Sequence, residues 1–138
     1  MKQVTFALMI GAVLLTSSCT YPDGPIVSLK TREARVANAW RISYATNASG
    51  EDQTSDFESW QYTFSEDGVA EVSYKIAGIT LTSTGEWNLI DDGANFQLLF
   101  TTAGITTTDE FVILRLTEDE FWIRDAVNEK EEYHLATF

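Results

Sequence analysis

The feature that most constrains what this chain can fold into is a two-residue alternation of apolar and polar side chains, running with interruptions over residues 60–135. Trp60, Tyr62 and Phe64 share one parity, with Gln61 and Thr63 between them, and Ala70, Val72, Tyr74 and Ile76 alternate with Glu71, Ser73 and Lys75. Ile79, Leu81, Trp87 and Leu89 continue the pattern around Thr80, Thr82, Glu86 and Asn88; Phe96, Leu98 and Phe100 do so around Asn95, Gln97 and Thr101. Successive residues of a strand point to opposite faces, so each window reads as a strand with one buried face. Helical spacing fits none of them.

The breaks between windows agree with this reading. Glu66-Asp67-Gly68, Ala77-Gly78, Asp91-Asp92-Gly93 and Ala103-Gly104 each supply a glycine able to take positive φ, as tight hairpins require. Two later breaks, at 117–119 and 126–129, carry Asp or Asn instead. The expected strands are 39–45, 59–66, 69–77, 79–90, 95–102, 105–116, 120–125 and 130–137. An all-β run of eight antiparallel strands joined by short turns favours an up-and-down meander closing into a barrel, because closure removes exposed edges. A two-layer β-sandwich or an open meander with a helix packed on it is the alternative. A barrel of this size is filled by its side chains or holds one small ligand.

The beginning of the chain has another character. Lys2 precedes an apolar run through Val4, Phe6, Leu8, Met9, Ile10, Val13 and Leu15, which ends in Thr16-Ser17-Ser18-Cys19. A positive residue, a short apolar core and small residues describe a signal peptide, 1–18, too short for a comfortable membrane span. Its end resembles the bacterial lipobox, in which the cysteine is acylated, so Cys19 is the expected lipidation site. Cys19 is the chain's one cysteine and cannot form an internal disulfide. On this reading residues 19–27 are a lipidated tether containing Pro22 and Pro25, and 28–138 are the barrel domain. Lipid at Cys19 would be the contact with the membrane. Thr20 following the cysteine suggests outer-membrane sorting, with the leaflet open.

Ser28 stands where a helix N-cap would, and Leu29, Val36 and Trp40 recur at spacings of seven and four, so 28–38 is expected to be one short amphipathic helix. Residues 47–56 are polar, with Gly50 and three acidic residues, and read as an exposed loop: a lid or a mobile connection.

With 138 residues, 44% of them hydrophobic, one domain with a real core is expected. The formal net charge is −12, and Lys2 is the only charge in the first eighteen residues, which leaves −13 for the remainder. That excludes nucleic acid and anionic headgroups as natural partners, since both select clustered Lys or Arg.

Three stretches carry a family resemblance. They are residues 28–42 (SLKTREARVANAWRI), the step Thr84-Gly85-Glu86-Trp87, and the ending Ile113-Leu114-Arg115-Leu116 through Phe121-Trp122-Ile123-Arg124-Asp125. Together they resemble the lipocalin-like lipoproteins of Bacteroidota, over nearly the whole mature chain. The resemblance implies a lipocalin-like barrel and an envelope location more than an activity. In lipocalins a Gly-x-Trp step opens the first strand and an Arg packs across that Trp. Trp40 occupies the matching place, Asn38 replaces the Gly, and Arg115 and Arg124 are the nearest candidates to cover an indole.

No catalytic constellation emerges. His134, the single histidine, falls in the last expected strand without a nucleophile motif and reads as structural. Carboxylates cluster at turn tips, Glu66-Asp67, Asp91-Asp92 and Glu118-Asp119-Glu120, where solvated turn residues are expected, with a calcium site at one such tip as the alternative. Zinc lacks ligands unless another chain contributes. No cofactor is expected, and no enzymatic activity. The aromatic residues Trp40, Tyr62, Tyr74 and Trp87 fall on the apolar parity of four strands and could converge on one interior. They are core, or they line a partly open barrel that takes a small hydrophobic or amphipathic ligand. The other partner the sequence leaves open is an envelope protein, for which the chain would be an accessory or interaction subunit.

Overall fold

A computed structural model describes residues 29–138. The signal peptide, Cys19, the tether and the expected N-cap at Ser28 lie outside the described residues. A short helix α1 (Arg32–Val36) leads into eight strands: β1 (Ala39–Ala45), β2 (Gln61–Phe64), β3 (Val69–Ile76), β4 (Ile79–Ile90), β5 (Asn95–Thr102), β6 (Ile105–Leu116), β7 (Glu120–Asp125) and β8 (Glu132–Thr137). Each pairs antiparallel with the next, and β8 returns to β1 through pairs such as Trp40 with Thr137 and Ile42 with Leu135, so the sheet is a closed barrel in meander order. The sandwich and the open meander are therefore ruled out.

The alternation decides which side chains face inward. Phe64, Ala70, Trp87, Phe96, Leu98, Ile113, Phe121, Ile123 and Leu135 are buried from seven different strands and form one core. All four expected glycines take positive φ in their turns. Gly85 has a different reason to be glycine: a Cβ there would lie 2.2 Å from the Leu99 carbonyl and under 3 Å from the Phe100 ring, which closes over the gap in β4.

Three expectations change. The helix is five residues, not eleven; Thr31 caps it by accepting a hydrogen bond from the Ala34 N–H at 3.1 Å, and Leu29 is fully exposed. The spacing of four between Val36 and Trp40 marks a contact rather than a helical face: Trp40 is already in β1, and its indole Nε1–H donates to the Val36 carbonyl at 2.8 Å. Second, β2 and β8 are shorter than expected, because Trp60 and Glu131 are held in turns by bonds from their N–H groups to the Phe57 and Asn128 carbonyls. Third, strict alternation along 39–45 from Trp40 would put Tyr44 inside, but β1 carries an irregularity between Ile42 and Tyr44, so Ala45 continues the inward face. Such an extra residue reverses parity beyond it.

The two ends of the barrel differ. At one end α1 crosses the opening. Arg32 Nε donates to the Gly93 carbonyl and Arg35 donates to the Leu116 carbonyl, both at 2.9 Å, which ties the helix to the β4–β5 and β6–β7 connections. Beneath it Trp40, Phe121, Phe96 and Leu116 are fully buried and seal the floor. At the other end the hairpins β3–β4 and β5–β6 overhang the rim, and β1–β2 and β7–β8 are joined by longer connections.

Candidate functional site: the open mouth of the barrel

A cavity of about 280 Å³ opens at the overhanging end. That is near the lower bound for small-molecule pockets. Its floor is Phe64, Phe96, Leu98, Ile123 and Leu135; its wall is Tyr62, Val72, Phe100, Phe111 and Tyr133; Phe57 and Trp60 lean over the opening. Phe57 comes from a 3-10 turn, Thr54–Phe57, in the β1–β2 connection, and packs edge-on to both Trp60 and Tyr133 with ring centroids 5.4 and 5.8 Å apart. The expected exposed loop, 47–56, is tied down along its length. Asn47 Oδ1 accepts the Ser49 and Glu51 N–H groups, Asp52 Oδ1 accepts that of Thr54, and the Gln53 N–H reaches the Ala45 carbonyl. Between the lid and the mobile connection offered by the sequence, its geometry is that of a fixed partial cover.

The four aromatic residues singled out from sequence separate into two groups. Trp40 and Trp87 are interior but belong to the sealed half: Trp40 packs on Phe121, and the Trp87 indole donates to the Ser65 carbonyl at 2.9 Å. Neither lines the cavity. Tyr62 lines it directly. Tyr74 lies further out, stacked on Trp60 with centroids 4.4 Å apart and planes 12° apart, where the two line a groove continuing the mouth between the hairpins.

Polar groups in the cavity are few. Burial pushes the Tyr62 hydroxyl above the ordinary tyrosine range. Tyr133 is pushed up as well, first by burial and then by its hydrogen bond to Glu131 and that residue's charge. Asp109 is the one charged side chain of the lining. It projects from the inward face of β6, opposite Leu98.

Phe57, Trp60, Phe100, Asp109, Phe111 and Tyr133 were not singled out from sequence as site residues. Trp60 and Phe100 stand on the apolar parity of their expected strands, and Phe111 and Tyr133 share an inward face with Ile113 and Leu135. Asp109 is polar and gives no apolar signal; what parity lacks is depth along the barrel axis. Phe57 falls outside any strand, and only the 3-10 turn brings it to the mouth.

His134 is on the outer wall, stacked on Trp122 at 4.2 Å between planes 7° apart, with Tyr44 on its other side and Glu132 as hydrogen-bond partner. That is a structural setting. The indole covered by an arginine is Trp122, with the Arg115 guanidinium 5.3 Å from its ring, rather than Trp40. Among the turn carboxylates, Asp67 is held below the usual range by hydrogen bonds from the Ser65 hydroxyl and the Val69 N–H. Among the described residues no three His, Cys, Asp or Glu side chains gather as a metal site would require, and no helix is long and apolar enough to cross a membrane. The chain matches no protein-family model and no curated protein.

Proposed function

We propose that this chain is a lipid-anchored cell-envelope protein of lipocalin-like type, whose barrel takes a small hydrophobic or amphipathic molecule through its open mouth. The observation that carries the binding half of this reading is the asymmetry of the barrel. One end is closed by α1, Trp40 and Phe121, while the other leads into an apolar cup walled by aromatic rings. A fold whose interior served stability alone would be filled from both ends to organic-crystal density. Native mass spectrometry of the protein purified from its host tests it: a small molecule should accompany the intact chain, and bare protein under several growth conditions would count heavily against binding.

The envelope half rests on the first nineteen residues, with attachment through Cys19 and outer-membrane sorting. Cys19→Ala should abolish incorporation of labelled palmitate and release the protein from the detergent phase. Continued labelling of the variant would place the lipid, if any, elsewhere.

A second reading has its own support. Ile76, Ile79, Leu81 and Ile105 are 57, 64, 41 and 69% exposed, on the inward faces of the overhanging hairpins. Contiguous exposed apolar side chains are a usual mark of protein contact, so the chain as an accessory or interaction subunit of another envelope protein is the alternative. A photo-crosslinker at position 79 that recovers only monomer from cells would remove it.

A further inference from the structure

The chemical class of the ligand can be read from the one charged group in the cup. Asp109 lies on the inward face of β6, between Thr107 and Phe111 of the same parity. Aspartate is a poor strand former, and this one stands exposed at the lip of the aromatic wall, where the polar end of an entering molecule would meet it. The other carboxylates of this region are accounted for by the fold. Glu110 accepts from Asn95 at 2.9 Å, and Glu132 holds His134. Asp125, paired with Phe111 across the same rim, is used by its turn, its Oδ1 accepting the N–H groups of Val127 and Asn128. Asp109 has no hydrogen-bond or ion-pair partner among the described residues.

Among the described residues no lysine or arginine lines the cavity. The connections that frame the mouth hold Glu51, Asp52, Asp56, Glu58, Glu129 and Glu131 against a single base, Lys130. The potential at the opening is therefore negative, which repels a fatty-acid or phosphate head and attracts a cation. The faces of Trp60, Tyr62 and Phe100 add favourable quadrupoles for such a cation.

We infer that the ligand is an apolar molecule with a cationic, amine-type end, its hydrocarbon in the cup and its charge at the Asp109 carboxylate. This rests on the small-molecule reading above, and the test separates the two. Full-length protein in nanodiscs of zwitterionic lipid is titrated at neutral pH with octylamine, octanol and octanoate, following tryptophan emission against protein-free discs. Octylamine should bind roughly threefold to fivefold more tightly than octanol, the scale of one solvent-exposed ion pair, and octanoate more weakly than either. Asp109→Asn should bring the amine down to the level of the alcohol, whereas Glu66→Gln, the same change of charge at an exposed turn at the closed end, should keep the amine's advantage. Equal binding of amine and carboxylate, or an advantage that survives Asp109→Asn or vanishes with Glu66→Gln, overturns the assignment while leaving the cup as a binding site. Failure of all three probes, octanol included, overturns both.

Discussion

At the residue scale, the cup differs from the plug in how polar atoms meet an apolar interior. Trp40 and Trp87 each find a backbone carbonyl for the indole N–H, so burying them leaves nothing unsatisfied. Tyr62 and Tyr133 are instead held with their hydroxyls in a poorly solvated mouth, and both resist ionisation. The consequence for stability has a definite sign. Below about pH 10, the ordinary tyrosine value, folded and unfolded chains both keep these protons, and the stabilisation is fully present. Above it the unfolded chain ionises while the folded one does not, so stability is lost as pH rises through the folded values. Chemical denaturation should show a midpoint falling steadily above about pH 10, and Tyr62→Phe with Tyr133→Phe should flatten that fall; an unchanged slope in the double variant would locate the alkaline sensitivity elsewhere. This distinction between the two kinds of aromatic residue was not legible in the sequence. Parity places Trp40, Tyr62, Tyr74 and Trp87 on inward faces alike, but Trp40 is fully buried and bonded to Val36 beneath the helix, while Tyr62, its direct partner across β1 and β2, lines the cavity. Alternation cannot say which of two paired neighbours meets the helix and which meets the cavity.

At the scale of elements, the two overhanging hairpins share an unusual turn. Ala77-Gly78 and Ala103-Gly104 both take positive φ at both central positions, 49° and 79° in the first and 52° and 78° in the second. These are the requirements of a type I′ turn, where Asn or Asp usually precedes Gly, since an alanine Cβ is strained in the left-handed region. Ala77→Asn and Ala103→Asn should each stabilise the fold by about 0.5–1 kcal/mol, read as a raised urea midpoint with unchanged slope. A loss of stability from either would mean that its methyl group makes a contact outweighing the strain. The elements themselves were largely legible, because strand alternation and glycine turns are local properties. The boundaries that moved did so for tertiary reasons. Residues 29–30 and 37–38 do not continue the helix: Thr31 caps its start, and α1 is bridged by Arg32 and Arg35 to carbonyls some sixty and eighty residues away. The parity reversal in β1 is set by pairing with β8, at the far end of the chain.

At the scale of the whole molecule, the barrel divides its labour along its axis: the end under α1 carries the dense packing, and the mouth carries the space. The fully buried Phe121 touches Trp40, Phe64 and Phe96 with centroids 5.0–6.5 Å apart, so the plug is one aromatic cluster drawn from β1, β2, β5 and β7. Val72, by contrast, faces the cavity and the groove between the hairpins. If stability and binding are separable in this way, two substitutions should have opposite profiles. Phe121→Leu removes ring contacts on the underside of the cavity floor, without touching the cavity itself, and should cost about 2–3 kcal/mol of unfolding free energy while leaving octanol affinity intact at temperatures where the protein is folded. Val72→Phe puts a ring into existing space, so its stability should stay within about 1 kcal/mol of the parent while octanol affinity drops at least roughly tenfold. Denaturation midpoints and the octanol titration on the same preparations decide the matter. Equal loss of affinity in both variants would mean that the plug and the cup form one cooperative interior, and that the cavity opens only as far as the floor beneath it holds.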